Sequence, residues 1–342
     1  MVLLWLEKGR IDKGDRETYD GVAAESQKME KRMVKIDLIT GFLGSGKTTF
    51  LKQYAQYLLR QGQNIGILEN DFGAVNVDMM LLQDLEGEKC ELEMISGGCD
   101  AETHRRRFRT KLIAMGMCGY DRVLVEPSGI YDVDEFFDVL RDEPLDQWYE
   151  IGSVIAIVDA GLDPELSDEA NYLLASEAAN AGSIVLSHAD EVSTEQIEET
   201  IAHLNAALKQ VKCSRQVGEE VLRKSGAQLT DADFEQILKN GYRTENYQKM
   251  DLAEGGFQSV YLLDQKLDRD KIQNIIQKIF ETSECGKIFR IKGFVQENGQ
   301  WYEVNGTRHE TKIDAIGAGQ DVAIVIGEKL DEGKIQSIFA EK

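Results

Sequence analysis

The stretch 34–49 constrains the fold of this chain more than any other part of its sequence. An apolar, β-branched run leads without a linker into Gly41-x-x-x-x-Gly46-Lys47-Thr48, and an amphipathic run follows. This order predicts a buried strand, a phosphate-binding loop and a helix. In such a loop, backbone N–H groups at the start of the helix cradle phosphate oxygens. The sequence therefore predicts an α/β protein that binds a nucleoside triphosphate.

The side chains of the loop have separate roles in this prediction. Lys47 is expected to reach the β- and γ-phosphates, and the hydroxyl of Thr48 is expected to ligate Mg²⁺. The residues expected to surround the phosphates are Gly41, Gly44, Ser45, Gly46, Lys47, Thr48 and Thr49. The loop predicts a nucleotide and its magnesium ion but does not identify the base.

The amino-acid composition disfavours several classes of binding partner. The 342 residues include 39 basic and 61 acidic side chains, a net charge of −22, which disfavours nucleic acid and anionic membranes by repulsion of phosphates. The five cysteines are scattered and lack C-x-x-C spacing, which indicates a reducing cytoplasm rather than a disulfide framework. The apolar run that opens the chain is six residues long, too short for a signal peptide or a membrane span.

Strand and helix patterns divide the chain into four parts. Residues 1–32 are charged, lack a sustained apolar period and are expected to form a disordered extension. Strands alternate with helices in 33–210, which predicts a doubly wound, mostly parallel sheet. The polar, helical pattern of 211–250 predicts a linker or lid. Residues 251–342 predict a second, smaller mixed α/β domain.

Two hairpin signals lie in this second domain. Asn298-Gly299 separates two strand patterns and is a strong signal for a two-residue turn, and Asn305-Gly306 repeats it. The pair Arg308-His309 is expected on a strand, where a solvated pair is the more natural interpretation than a metal ligand. The hairpins predict that part of this domain is an antiparallel sheet.

Three motifs together resemble a known family. They are the loop Gly-Phe-Leu-Gly-Ser-Gly-Lys-Thr-Thr, the strand end Glu126-Pro127-Ser128-Gly129 and the late Arg290-x-Lys292-Gly293-Phe294. With them the chain resembles the CobW-type P-loop GTPases, relatives of the nickel-insertion GTPases of urease and hydrogenase maturation. The resemblance implies GTP and GDP as ligands, Mg²⁺ as cofactor and slow hydrolysis of GTP.

The resemblance also implies catalytic residues. Glu126 would orient water bound to Mg²⁺, the N–H of Gly129 would sense the γ-phosphate, and Lys47 would neutralise charge. The segment Asn70-Asp71-Phe72-Gly73 resembles the Asn-Glu-Phe-Gly switch segment of the family. Asp71 is one methylene shorter than the glutamate of the family. It would approach Mg²⁺ through water or position water; the other interpretation is that it is a turn former.

Base recognition is expected after the strand 183–186. GTPases usually carry Asn-Lys-x-Asp at this place, and this chain has Ser187-His188-Ala189-Asp190. The carboxylate of Asp190 can accept hydrogen bonds from N1 and N2 of guanine, which adenine does not offer. Ser187 is shorter than asparagine, and His188 would cover the base by stacking. The retained aspartate favours guanine over adenine.

The transition-metal motif of the family is reduced in this chain. Relatives carry Gly-Cys-x-Cys-Cys, whose thiolates bind a transition metal, whereas this sequence has Gly98-Cys99-Asp100-Ala101-Glu102. A single thiolate cannot hold Zn²⁺ or Co²⁺ by itself. Glu102 and His104 could complete a Cys/Glu/His set, although residues two apart do not share a helix face. A structural cysteine in a switch loop is the other interpretation.

The resulting hypothesis is a GTP-dependent switch protein that delivers a metal or metallocofactor to a client metalloenzyme or corrinoid protein. The resemblance also suggests that two copies pair across the nucleotide. Two alternatives stay open from the sequence. One is a P-loop kinase, ligase or ATPase acting on a small molecule, and the other is a nucleotide-gated chaperone that carries no metal itself.

Overall fold

The phosphate-loop motif begins a six-stranded parallel sheet. The computed structural model describes residues 33–70, 78–95, 101–250, 256–263, 269–308 and 310–340. The predicted extension at 1–32 lies outside these described residues. The first strand, β1 (Val34–Thr40), runs through the loop into helix α1 (Lys47–Arg60), as the sequence predicts.

The first sheet has the strand order β3-β2-β4-β1-β5-β6, and every pairing in it is parallel. Its other strands are β2 (Ile65–Asn70), β3 (Cys90–Ile95), β4 (Arg122–Pro127), β5 (Tyr149–Asp159) and β6 (Ser183–Ser187). The helices among them are α2 (Asp78–Leu82), α3 (Ala101–Met115), α4 (Val133–Leu140), α5 (Asp168–Ala179) and α6 (Thr194–Gln210). The predicted doubly wound α/β fold is confirmed.

Burial explains why these segments form central strands. Every residue of β4 is buried, because helices cover both faces of a parallel sheet and its strands are apolar on both sides. The strands point the same way, so their carboxyl ends meet at one edge. That edge is where ligands bind in open α/β sheets. It brings the ends of β1, β2, β4 and β5 together.

The stretch 211–250, predicted as a linker or lid, packs against the first sheet. Leu222 pairs in parallel with the edge of β6 through backbone bonds to Leu186 (2.8 Å) and Ile184 (2.9 Å). Helix α7 (Asp231–Asn240) lies against α1, and its buried Phe234 and Ile237 join the core there. The few apolar residues in this polar sequence are the ones that face the sheet. The division of the chain into these four parts stays a prediction.

The second sheet has five antiparallel strands in the order β10-β9-β8-β11-β7. Its strands are β7 (Phe257–Leu263), β8 (Lys287–Glu297), β9 (Gln300–Gly306), β10 (Thr311–Ile316) and β11 (Val322–Glu328). Two helices, α8 (Arg269–Glu281) and α9 (Glu332–Ala340), share an apolar core with one face of the sheet. The predicted second α/β domain is confirmed as a fold.

One hairpin prediction in this sheet is confirmed and the other is wrong. Asn298 and Gly299 form the β8–β9 turn with φ values of 50° and 82°, as a type I′ turn requires. Asn305 and Gly306 instead end β9, since both are paired with β8 and β10. The N–H of Thr307 donates to the carbonyl of Glu310 between β9 and β10, so Arg308 lies in a loop and not on a strand, and His309 is outside the described residues.

No helix in the described ranges is long and apolar enough to cross a bilayer. The longest, α6, has 17 residues and an acidic or polar surface on one side. The four cysteines within those ranges, Cys90, Cys118, Cys213 and Cys285, are free thiols.

Candidate nucleotide-binding site

The phosphate loop has a backbone that only glycine adopts readily. Gly41, Gly44 and Gly46 have φ values of 152°, 80° and 86°, which a side chain strains. A Cβ on Gly41 would also collide with the carbonyl oxygen of Ile157 and the hydroxyl of Ser45. Gly46 is the N-cap of α1 and offers no side-chain acceptor to its first N–H groups. The start of α1 can therefore give these N–H groups to an anion.

The polar side chains of the loop meet the end of β4. The ammonium of Lys47 donates to the carbonyl of Gly41 at 2.9 Å, and the hydroxyl of Thr48 donates to Oε1 of Glu126 at 2.8 Å. Lys47 is 5% exposed, and burial lowers its pKa while the nearby carboxylate of Glu126 opposes that effect. The predicted lysine, hydroxyl and strand-end glutamate thus lie in one site.

The segment that follows β4 packs closely against the phosphate loop. A Cβ on Gly129 would lie 2.8 Å from the backbone nitrogen of Leu43, a distance that real side chains do not reach. This position therefore excludes any residue larger than glycine unless the two segments move apart. The structure places the backbone of Gly129 beside the loop. Asp71, the other predicted switch residue, lies outside the described residues.

Buried polar atoms test whether this edge suits a magnesium nucleotide. The hydroxyl of Ser45 and both amide atoms of Asn70 are buried and have no hydrogen-bond partner among the described residues. Asn70 ends β2 beside Pro127, and its carbonyl accepts from the N–H of Ser128 at 2.9 Å. Such atoms normally find partners. Phosphate oxygens and water on a hard cation would supply them, so the residues present fit this ligand.

A cavity of about 440 Å³ opens from the loop, a volume usual for small-molecule sites. The phosphate loop, the start of α1 and the end of β4 line it with Gly44, Gly46, Lys47, Thr48, Thr49 and Glu126. Asp159, His188 and Glu191 also line it, as do residues of the second sheet and of the loop between β9 and β10. The cavity therefore extends from the phosphate loop to the segment predicted to bind the base.

The predicted base-binding residues lie at different depths. Ser187 packs 3.6 Å from where a Cβ of Gly46 would stand. His188 lines the cavity with a φ of 52°, and its Nδ1 lies 3.2 Å from Oδ2 of Asp159, a contact that raises the pKa of the imidazole. Asp190 is exposed beside the cavity rather than part of its wall. Asp159 was not predicted as a site residue from the sequence, because no local motif distinguishes the end of its strand.

The residues proposed for a transition metal are not brought together within the described ranges. Cys99 lies outside them. Glu102 is exposed, whereas His104 is fully buried, and burial together with Arg107 lowers the pKa of its imidazole to about 4. Two residues apart on α3, they face different sides of the helix. In the part of the chain that the structure describes, no group of three histidine, cysteine or acidic residues could hold a metal.

A buried carboxylate under the loop was also missed. Glu177 of α5 is 1% exposed, and its carboxylate is close to Lys47, Thr40 and Gly41. Burial raises its pKa to about 8, against the attraction of the Lys47 ammonium. The sequence offers no signal for it, because Glu177 follows four small or apolar residues in an ordinary helical pattern. Its charge state bears on how the loop accepts an anion.

Substituting Glu177→Gln is expected to stabilise the nucleotide-free protein increasingly as the pH rises. The folded-state pKa is about 8, whereas the ordinary value is 4.5, so the unfolded chain loses this proton first. The free energy of unfolding of the parent therefore falls between pH 4.5 and 8. Urea unfolding from pH 5 to 9 should show the variant gaining on the order of 2 kcal/mol over the parent.

The control for this experiment is Glu199→Gln, which removes an exposed carboxylate from the neighbouring helix α6. Its stability should follow that of the parent at every pH. If the Glu177→Gln and parent stabilities ran parallel from pH 5 to 9, the carboxylate would not be held protonated by its surroundings.

The sequence was also compared with known proteins. Residues 35–218 match the family described as CobW/HypB/UreG, nucleotide-binding domain. Residues 258–341 match the cobalamin synthesis protein cobW C-terminal domain. The two matches cover the two sheets in the order in which they occur.

Among curated proteins, the zinc chaperone YjiA of Escherichia coli is 29% identical over 184 residues, 51% of this chain and 55% of that protein. The zinc chaperone CobW of Pseudomonas aeruginosa is 26% identical over 217 residues, 53% of this chain and 56% of that protein. The zinc-regulated GTPase metalloprotein activator 1 of Schizosaccharomyces pombe is 21% identical over 317 residues, 82% and 76% of the two chains. The alignments with the bacterial chaperones span about half of their length.

A solved structure of the Zn(II)-bound YjiA GTPase from E. coli is 18% identical, with a TM-score of 0.34, and the match covers 90% of this chain and 98% of that one.

Proposed function

Because this chain belongs to the CobW/HypB/UreG family, we propose that it is a GTP-binding and slowly GTP-hydrolysing switch that controls delivery of a transition metal to a client metalloprotein. The observation that carries the proposal is the meeting of Lys47, Thr48 and Glu126 at the mouth of the phosphate loop. Zinc is the first metal to test, since several relatives are named zinc chaperones. We place this activity in the cytoplasm.

The residues of the site suit a reaction that needs positioning more than covalent chemistry. The ammonium of Lys47, now on the carbonyl of Gly41, would move to the β- and γ-phosphates. Thr48 and Glu126 would hold Mg²⁺, which when bound offsets phosphate charge. The N–H of Gly129 would contact the γ-phosphate, so loss of that phosphate would release the segment after β4. We keep Asp71 as a proposed water-positioning residue.

Asp190 is proposed to select guanine. It is exposed beside the cavity that His188 lines, and a carboxylate there can accept from N1 and N2 of guanine. With Asp190→Ala, the preference for GTP over ATP should fall by roughly 5- to 100-fold, the worth of a bidentate base contact. The measurement is competition of both nucleotides with a fluorescent GDP analogue.

The primary test combines binding and turnover. Purified protein with Mg²⁺ should bind GTP and GDP and release phosphate without an added acceptor. Consumption of ATP only when a small-molecule acceptor is present would instead identify a kinase or ligase. Absence of binding to GTP and GDP in the presence of Mg²⁺ would refute the proposed switch.

A second candidate is a nucleotide-gated chaperone of a metalloenzyme or corrinoid protein that carries no metal itself. The burial of His104 favours it, because a neutral imidazole inside the core cannot join Glu102 at the surface. The test is metal analysis of GTP-loaded protein after incubation with Zn²⁺ or Co²⁺, comparing the parent with Cys99→Ala. Stoichiometric metal that depends on the thiol supports delivery by this chain, and equal, negligible metal in both supports the second candidate.

A further inference from the structure

The second sheet lies against the phosphate loop. Phe42 of the loop packs edge-on against Phe289 and Phe257, with ring centroids 5.3 and 6.0 Å apart. A Cβ on Gly44 would lie 3.4 Å from the methyl group of Thr307, in the turn after β9. The loop therefore has the first sheet on one side and strands β7 to β9 on the other. Side chains from the second sheet can reach whatever the loop binds.

A bulge in β8 turns an arginine toward that space. Ile326 of β11 pairs with Arg290, but the next residue, Gly327, pairs with Ile288, so β8 holds one extra residue at Phe289. Bulges of this kind redirect side chains and are common beside active sites. Here Phe289 packs on the loop phenylalanine, and Arg290 lines the cavity beside Lys47. The positive charge of Arg290 is close enough to lower the pKa of Lys47.

Among the described residues, the surroundings of this arginine hold no ion-paired carboxylate. Arg290 is 9% exposed, and its Nε donates to the neutral side chain of Asn305 at 3.0 Å. No carboxylate among the described residues forms an ion pair with it. By contrast, Lys312, the other basic residue of the second sheet that lines the cavity, has Glu310 at 2.9 Å and Glu191 at 3.7 Å. A buried guanidinium without a carboxylate calls for an anion from elsewhere.

We infer that Arg290 binds a phosphate of the nucleotide, so that the second sheet completes the nucleotide site from within the same chain. The inference rests on the proposed function and adds a ligand-binding residue to it. Asn305 is a positioning residue that holds the guanidinium through Nε and leaves its terminal nitrogens for phosphate oxygens. Nucleotide state would then be transmitted to the second sheet through this contact.

The test uses the whole protein and a series of ligands that differ only in phosphate number: guanosine, GMP, GDP and GTP. Arg290→Ala should lower GTP affinity by about 10- to 100-fold, the worth of one or two charged hydrogen bonds. The loss should be absent for guanosine and should increase as phosphates are added. Arg290→Lys should recover part of the loss, because it keeps the charge but not the planar fork.

The matched control is Arg308→Ala. Arg308 lies in the loop between β9 and β10, 3.9 Å from Asp163 of the first domain, but it is more than half exposed and does not line the cavity. Its affinities should equal those of the parent. Unfolding temperatures measured without nucleotide should show that each variant is folded. If Arg290→Ala is not folded, the comparison with the parent is made with Arg290→Lys.

The outcomes separate the inference from the proposed function. If the parent binds GTP and hydrolyses it, but Arg290→Ala and Arg290→Lys bind every ligand as the parent does, the inference fails alone. A loss of the same size for guanosine and GTP would also overturn it, since that result indicates a purely structural arginine. A parent that binds none of the phosphorylated ligands would refute both.

Discussion

Replacing Lys47 by alanine is expected to lower the affinity for GTP and GDP by about 100- to 1,000-fold, the worth of two charged hydrogen bonds to phosphate. Lys47 is 5% exposed, stands at the start of α1 and donates its ammonium to the carbonyl of Gly41 in the loop. Its removal leaves the phosphates facing the negative charge of Glu126 with one cation fewer to offset that repulsion. The measurement is titration calorimetry with Mg²⁺ present.

Lys52→Ala is the matched control for this prediction. Lys52 lies one turn further along α1, where it donates to the carbonyl of Leu81 at 3.1 Å and pairs with Asp84 at 2.9 Å. Its loss should leave nucleotide affinity within about twofold of the parent, as expected for a charge outside the cavity. Equal affinities for Lys47→Ala and the parent would show that the loop does not bind phosphate through this side chain.

Phe234→Ala is expected to destabilise the protein by about 3 to 5 kcal/mol, the usual cost of deleting a buried phenylalanine ring. Phe234 is 3% exposed and packs against Phe50, Tyr54 and Tyr57 of α1, with centroids 6.0, 5.8 and 5.2 Å away. Because α1 begins at the phosphate loop, the variant should also bind GTP more weakly. Urea unfolding followed by circular dichroism measures the first effect.

Glu235→Ala, an exposed change on the same helix, should alter stability by less than about 0.5 kcal/mol. This pair of variants also separates two views of residues 211–250. A mobile lid would open without unfolding the sheet, so Phe234→Ala would then leave the global transition where it is in the parent. A large shift confined to Phe234→Ala would show that the segment is part of the core.

The parts of the fold that depend on local geometry were predictable. The glycine spacing of the phosphate loop and the Asn298-Gly299 turn each require backbone angles that few residue types adopt. The same reasoning was wrong at Asn305-Gly306, where cross-strand pairing on both sides outweighs the local turn preference. It was also uninformative for α7, because a helix with only two buried residues looks polar in sequence.

The functional site also contains residues that could be predicted from the sequence and residues that could not. Lys47 and Thr48 follow from one motif, and Glu126 could be added from its family resemblance before its bond to Thr48, across 78 positions, was known. Asp159 and Glu177 carry no local signal, because their importance lies in which side chains they meet. The Arg290 motif was noticed in the sequence, but its place in the cavity was not.

The sequence by itself determined that this protein has a phosphate loop, a parallel sheet and a second α/β domain. These features follow from residue spacing, glycine backbone freedom and apolar periodicity, all of which act over a few residues. Only the tertiary structure decided that the second sheet packs against the loop, that Arg290 is buried beside Lys47 with no ion-paired carboxylate in the part of the chain that the structure describes, and that His104 is inside the core. Burial and counterions depend on long-range packing, because they are set by segments far away in the chain.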